Sequence, residues 1–301
     1  MSSWMHDLMK QTLKTFRGLV SYEPTQIPLL RRFLDVSSLA LVMPPGARCE
    51  EMQLGSLPGL WIHPPEERHR AVIYFLHGGG FTVGSIATHK CLSAKIGTEL
   101  GVRVFMLEYR KSPEFPFPIG LKDVMQGWEY VCAQSEEGNL PIVVGDSAGA
   151  GLAMSMMIEL RDASREMPQL AWLMSPWVDL TFSGESASLF REDDPIVRPA
   201  DLDAWIRLYA GDRSLNDPLI SPLFGDLTGL PPMLIQASDR EVLRDDAYRL
   251  ADRLTETGVP AQLHIWEEAL HVWQMQWHLL PEAQAAINAG KAFVRGRLWK
   301  Q

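Results

Sequence analysis

Residues 140–157 read LPIVVGDSAGAGLAMSMM, and no other stretch limits the possible folds as much. Leu140 to Val144 is short, apolar and β-branched, as suits a parallel strand buried on both faces, and Leu152, Met156 and Leu160 then recur at helical spacing. The segment is therefore strand, sharp turn, helix. A Gly-x-Ser-x-Gly turn in that setting holds Ser147 in strained φ/ψ and lifts its hydroxyl out of the fold, while Gly145 and Gly149 let neighbouring backbone cross close by. The helix N-terminus adds free amides and a dipole beside the hydroxyl. The pattern alone is weak, since it arises by chance in roughly one chain in ten of this length. The rest of the chain has to supply a base, an acid and an oxyanion site.

At 301 residues the chain can bury a full core, and an α/β fold of this length need not divide into two domains. A net charge of -9 argues against a nucleic-acid or anionic-membrane surface, which demands basic patches. His6, Asp7, Lys10 and Lys14 interrupt the N-terminal segment, so no signal peptide is expected, and no apolar stretch approaches a membrane span. Cys49, Cys91 and Cys132 are odd in number and form no Cys-x-x-Cys pair, which argues against a disulfide framework or a zinc site and favours a cytoplasmic location. No metal or cofactor is expected.

Trp4, Met5, Leu8, Met9, Leu13 and Phe16 make one helical face, and a second apolar segment runs from Ile27 to Val42. This region, 1–45, precedes the first strand signals and reads either as core-facing helix or as a methionine-rich lid over an acyl pocket. Glu51 to Ile62 predicts two antiparallel strands around Gly-Ser-Leu-Pro-Gly. Ala71 to Leu76 predicts a buried strand running directly into His77, Gly78, Gly79, Gly80 and Phe81. Three glycines at a strand's C-terminal end leave amide hydrogens unobstructed for an anion. His77 sits on the donor side, so it is expected to hold the loop rather than move protons.

Further strands at Val102 to Leu107, Ala171 to Met174, Pro231 to Ser238 and around Leu263 and Ile265 alternate with helices at about Ile119 to Ala133, Leu243 to Leu254 and Glu282 to Leu298. Such alternation implies right-handed crossovers and a mostly parallel sheet, with function at the strands' C-terminal ends. Thr181 to about Gly229 breaks the alternation with a charged run, Arg191 to Asp194, and a helical piece, Asp201 to Tyr209; it reads as an insertion over the strand ends. Trp205, Leu208 and Tyr209 line a pocket there or simply pack.

A serine hydroxyl needs a base, and the base needs an acid that fixes its tautomer. Among eight histidines His271 fits best, because it follows the last strand by a few residues; His264 lies inside that strand, His278 is expected in the following helix, and His63, His69 and His89 lack comparable placement. After the penultimate strand Asp239, Glu241, Asp245 and Asp246 compete for the acid role. Asp245 and Asp246 fall where carboxylates cap helices, and spacing does not separate Asp239 from Glu241.

HGGGF at 77–81, EYRKSPEFPFP at 108–118, GDSAG at 145–149, SPWVDLT at 175–181, DPLISPL at 217–223, GLPPMLIQASDREVLRDD at 229–246 and LHVW at 270–273 together resemble the hormone-sensitive-lipase family of α/β-hydrolase carboxylesterases. The resemblance spans about residues 60–280. It implies an α/β-hydrolase fold with a mostly parallel eight-stranded sheet, a catalytic domain at 46–180 and 226–301, and a helical cap from 1–45 and 181–225. The family pattern places an Asp where this chain has Glu241, a departure that a fold accepting Asp or Glu tolerates. The resemblance thus implies a Ser147, His271, Glu241 triad, with Asp239 in reserve. The oxyanion donors it implies are Ala148 and two of Gly78, Gly79 and Gly80, in the family Gly79 and Gly80. Phe81, Trp177, Trp205 and Tyr209 are expected around the substrate, a short- to medium-chain ester hydrolysed through an acyl-enzyme. A homodimer through the last strand's edge is implied at family level. Amide hydrolysis or acyl transfer by the same triad, and a non-catalytic small-molecule receptor, are the alternatives.

Overall fold

The computed structural model describes residues 4–16, 24–136 and 138–299, without the side chains of 14–16 and 199–201. The expected apolar position at Phe16 therefore lies outside the described side chains, and the termini of the 1–45 and 226–301 segments lie partly outside the described residues.

Two helices, α1 (Trp4–Phe16) and α2 (Ile27–Ser37), precede an antiparallel hairpin of β1 (Arg48–Leu54) and β2 (Leu57–His63). Leu54 pairs with Leu57, so the turn is only Gly55 and Ser56, and the expected longer turn is already strand from Leu57 onward. Strands and helices then alternate through β3 (Val72–Leu76), α3 (Ile86–Leu100), β4 (Arg103–Leu107), α4 (Ile119–Ala133), β5 (Ile142–Asp146), α5 (Ala148–Asp162) and β6 (Ala171–Met174). The short α6 (Ser186–Leu189) and α7 (Pro199–Ala210) break the alternation, which β7 (Met233–Ser238), α8 (Arg244–Glu256), β8 (Ala261–Trp266) and α9 (Pro281–Leu298) restore.

The sheet order is β1-β2-β4-β3-β5-β6-β7-β8, with β2 antiparallel to β1 and β4 and all later neighbours parallel. Successive side chains of a strand point to opposite faces. Val72, Tyr74 and Leu76 of β3 thus join the core under α4, α5 and α8, while Ile73 and Phe75 join the core under α3 and α9. With both faces covered, β3 and β5 carry no exposed residue, which is why they read as unbroken apolar runs. Serine and glycine punctuate the helix between them: Ser85 and Thr88 form a reciprocal capping box at the start of α3, and Gly101 closes it in the left-handed conformation at φ 71°.

The chain leaves β3 for β4 on one side and returns to β5 on the other. A crevice forms at such a reversal, outside the strands' C-terminal ends. The loops after β3 and β5, which hold His77 to Gly80 and Ser147, both open into it.

The N-terminal helices lie on this framework. Met5, Met9 and Leu13 pack on the cluster of Ala269, Leu270, Trp273, Leu280 and Ala283, whereas Trp4 and Leu8 are exposed, so the expected single face of α1 is split. Ile27 and Leu30 bury one side of α2. Arg31 clamps that helix down: its Nε donates to Thr82 O at 2.7 Å, Nη2 donates to Ser112 O at 2.6 Å, and both terminal nitrogens meet the Glu114 carboxylate at 2.8–2.9 Å.

Candidate active site

Ser147 occupies φ 51°, ψ −122°, between the last residue of β5 and the first of α5. Side chains rarely adopt positive φ, and strain of this kind costs on the order of 1–3 kcal/mol. The surroundings hold it there. Ser147 N–H donates to Met174 O at 2.9 Å, and Ser147 O accepts from Trp177 N–H at 3.2 Å. A Cβ on Gly149 would sit 2.1 Å from Leu76 O, and one on Gly145 would sit 2.8 Å from Gly149 O. The two glycines are therefore required by backbone that crosses the turn, as the sequence pattern anticipates. Phe81, Ser175 and Val272 also have positive φ, at 59°, 45° and 50°, so three more strained residues lie in the loops around this serine.

The loop after β3 comes within van der Waals reach of the serine: a Cβ on Gly78 would lie 3.0 Å from Ser147 Cβ. Gly78 N–H donates to Asp146 Oδ1 at 3.1 Å. That bond engages the Gly78 amide, while the Ala148 amide belongs to the unpaired first turn of α5. His77 is wholly buried, its Nδ1 lies 2.9 Å from Gly78 O, and its ring stacks on Tyr109 at 4.3 Å. Burial, with Lys111 and His89 nearby, drives its pKa well below the ordinary value, so it stays neutral and holds the loop.

His271 and Glu241 face each other across the loops after β8 and β7, with His271 Nδ1 2.7 Å from Glu241 Oε2. Both are buried, at 8% and 1% exposed. Glu241 Oε1 accepts from Ser238 N–H at 2.8 Å, so both carboxylate oxygens are engaged. Burial opposes protonation of His271, but the bond to Glu241 and the charges of Glu241, Asp194 and Asp146 outweigh it and raise its pKa. Ser147 N–H is bonded to Met174 O, and Val272 N–H donates to the next side chain, Ser175 Oγ, at 3.2 Å. The end of β6 thereby ties the serine loop to the histidine loop.

The other acid candidates are engaged elsewhere. Asp239 Oδ1 accepts from Glu268 N–H at 2.6 Å, Asp245 Oδ2 accepts from Ser186 N–H at 2.9 Å, and Asp246 Oδ2 accepts from Val178 and Asp179 N–H at 2.8 and 2.9 Å. Burial pushes Asp246 up to about 8. Among the other histidines, His63 pairs with Glu50, His69 stacks on Trp299, and His264 lies within β8. His278 lies in the turn before α9 rather than in a helix.

The comparisons with known proteins agree with this architecture. An alpha/beta hydrolase fold family model matches residues 73–275. An acetyl-hydrolase of Streptomyces hygroscopicus is 37% identical over 255 residues, covering 85% of this chain and 84% of its own length. An esterase of Acinetobacter venetianus is 30% identical over 285 residues, covering 93% of this chain and 91% of its own. The crystal structure of an esterase from the bacterial hormone-sensitive lipase family superposes with a TM-score of 0.92 at 32% identity, covering 99% of both chains. The chain belongs to the hormone-sensitive-lipase family of α/β hydrolases. It is a carboxylic ester hydrolase.

In the esterase the four aromatic residues expected around the substrate come together. Phe81 stacks on Tyr209 at 3.9 Å and 10°, Trp177 lies 5.4 Å from Phe81 and 6.2 Å from Trp205, and all four are buried. Trp205 and Tyr209 come from α7, so the segment between β6 and β7 packs over the loop after β3. Trp205 covers Gly80 closely enough that a Cβ there would lie 2.4 Å from its ring. Trp177 is 0% exposed, and its Nε1 donates to Asp179 O at 3.2 Å.

Among the buried carboxylates that the sequence reading passed over, Asp146 and Asp194 lie by the serine and histidine loops. Asp146, beside the serine, bonds Gly78 and faces His89 Nε2 at 3.3 Å, which raises the His89 pKa against the effect of burial. Asp194 closes the charged run that begins at Arg191, yet it is 1% exposed. Its one sequence signal is Asp followed by Pro195, a turn former. Among the described residues no group of three or more His, Cys, Asp or Glu is arranged to hold a metal ion, and no helix is long and apolar enough to cross a membrane.

Proposed function

We propose that the esterase hydrolyses short- to medium-chain carboxylic esters through Ser147, His271 and Glu241 by way of an acyl-enzyme. The observation that carries this reading is the buried 2.7 Å contact of His271 with Glu241 at the same sheet end as the strained Ser147. A carboxylate only accepts, so it keeps the proton on Nδ1 and leaves the Nε2 lone pair as base. His271 takes the Ser147 proton as Oγ forms a bond to the ester carbonyl carbon. The oxyanion forms against the amides of Gly79, Gly80 and Ala148, each contributing about 3 kcal/mol to barrier lowering. The C–O bond to the leaving alkoxide breaks as His271 gives it the proton. Water, deprotonated by the same imidazole, then attacks the acyl carbon; acid leaves and Ser147 regains its proton.

The catalytic domain in this reading comprises 46–180 and 226–301, and the cap comprises 1–45 and 181–225. The packing of α7 over Gly80 and the Arg31 clamp on α2 support that division. A homodimer through the exposed edge of β8 and a cytoplasmic location belong to the same reading. β8 is the last strand of the sheet order, and Cys49, Cys91 and Cys132 are free thiols. A monomer by light scattering would remove the dimer.

The test is hydrolysis of p-nitrophenyl acetate, butyrate, octanoate and palmitate by the wild type and Ser147→Ala. Turnover that peaks at acetate to octanoate and vanishes in the variant is expected. Retained activity in a folded Ser147→Ala variant removes the serine from the mechanism, and a maximum at palmitate overturns the chain-length preference.

A further inference from the structure

We infer that Asp194, supplied by the insertion between β6 and β7, is a positioning residue for the acid–base pair: its carboxylate grips the backbone next to Glu241 and holds that side chain against His271. The inference rests on the assignment of Glu241 and His271 as acid and base.

Asp194 Oδ2 accepts from Val242 N–H at 3.0 Å, and Val242 directly follows Glu241. Asp194 Oδ1 accepts from Ile196 and Val197 N–H, both at 2.9 Å. Three amide donors on a side chain that is 1% exposed replace its lost hydration. They also suit the ionised form, because a proton on either oxygen would compete with a donor already there. The carboxylate therefore folds its own loop at one oxygen and reaches out of the insertion with the other. What it reaches is the peptide that sets where the Glu241 side chain begins.

Glu241 is held from two directions. Ser238 N–H anchors Oε1 at 2.8 Å, and the Val242 N–H bond fixes the backbone on the far side. With both ends held, Oε2 has one position, opposite His271 Nδ1. This matters more for a glutamate than for an aspartate, because the extra methylene adds a rotatable bond that has to be immobilised. Asp194 also acts on the histidine through space: burial raises the Asp194 pKa against the opposing charge of His271 and the three amide bonds, and Asp194 in turn favours the protonated imidazole. The groups that face His271 are Glu241 from the loop after β7, Asp194 from the insertion and Asp146 from the end of β5. Insertion and triad geometry are consequently coupled, and a displaced insertion loosens the acid as well as opening the pocket.

The experiment compares the full chain with Asp194→Asn, Asp194→Glu and Glu241→Ala on p-nitrophenyl butyrate, reading kcat, KM and the pH dependence of kcat/KM, with folding checked by circular dichroism. For Asp194→Asn the expectation is a kcat loss of about tenfold at little-changed KM. Its acid limb should move down by about half a pH unit, because one negative charge near the imidazole is gone. Asp194→Glu keeps the charge but displaces it, so kcat should fall while the acid limb stays in place. A folded Asp194→Asn enzyme with wild-type kcat and acid limb overturns the inference. If the Asn variant does not fold, wild-type kcat in Asp194→Glu overturns it instead. Glu241→Ala separates the two layers: full activity there sinks the acid assignment itself, whereas collapse there with a wild-type-like Asp194→Asn sinks only the role of Asp194.

Discussion

Glu241 Oε2 and His271 Nδ1 lie 2.7 Å apart, both in side chains almost closed to solvent. The pair is made by two loops 30 residues apart in sequence, and of the four neighbouring carboxylates it is Glu241 that contacts the imidazole. Glu241→Ala should lower kcat by about 10⁴-fold, the usual consequence of losing the group that orients the base. Glu241→Asp withdraws the carboxylate by about 1.5 Å, one carbon–carbon bond, which takes it out of hydrogen-bond range. A kcat loss of about 10²-fold is expected, measured by steady-state hydrolysis of p-nitrophenyl butyrate. Full activity in Glu241→Ala would return Asp239 to consideration.

The raised pKa of His271 fixes a sign for the pH dependence. A base has to be neutral to accept the serine proton, so kcat/KM falls as pH drops through the His271 pKa, and the midpoint should lie above the ordinary histidine value of 6.5. His77, held well below that value, stays neutral throughout and adds no second step in this range. A single acid limb with its midpoint below 6.5 would contradict the balance of burial and carboxylate charge described for His271.

Gly80 has φ 60° and carries the Trp205 ring against its Cα. Gly80→Ala introduces a left-handed strain of about 1–2 kcal/mol and a clash with that ring, moving an amide that the proposed mechanism uses as an oxyanion donor. Its kcat should fall about 10²-fold. Trp205→Ala in the same chain should restore part of the loss by removing the clash. If the double variant is no better than Gly80→Ala, the ring is not the obstacle.

Arg31 links α2 to the oxyanion loop from outside: it holds Thr82 O, and Thr82 Oγ1 donates to Gly80 O at 3.0 Å. Arg31→Ala should reduce kcat about tenfold, and Arg31→Lys should not rescue it, because an ammonium cannot reproduce the planar fork that spans Thr82, Ser112 and Glu114. Equal kcat in all three enzymes would leave α2 without influence on the loop.

Much of this architecture is legible along the chain, and the reason is local. Strand–turn–helix at Leu140 to Leu160 follows from side-chain periodicity, and Gly145 and Gly149 follow from what backbone can cross a strained serine. The three glycines after β3 mark the tight loop beside the serine in the same way. These signals need only neighbours in sequence, because torsional sterics and hydrophobic alternation act over a few residues. Even so, turn chemistry misleads at 55–59, where sheet pairing extends the strand to Leu57, and at His278, which stays outside α9.

Helix-start placement sets Asp245 and Asp246 apart in sequence, but Asp239 and Glu241 are not separated by spacing; the folded loops bring the Glu268 amide to one and the His271 imidazole to the other. Gly78 looks like its two neighbours until Asp146 takes its amide. Asp194 reads only as the end of a charged run, and the folded insertion turns it inward onto Val242. The sequence by itself determined the fold class, the serine turn and the glycine loop, since each is written in the conformational preferences of adjacent residues. The tertiary structure alone brings Glu241 to His271, Asp146 to the Gly78 amide and Asp194 to the Val242 amide, because hydrogen bonding and desolvation depend on distances that the order of residues does not contain.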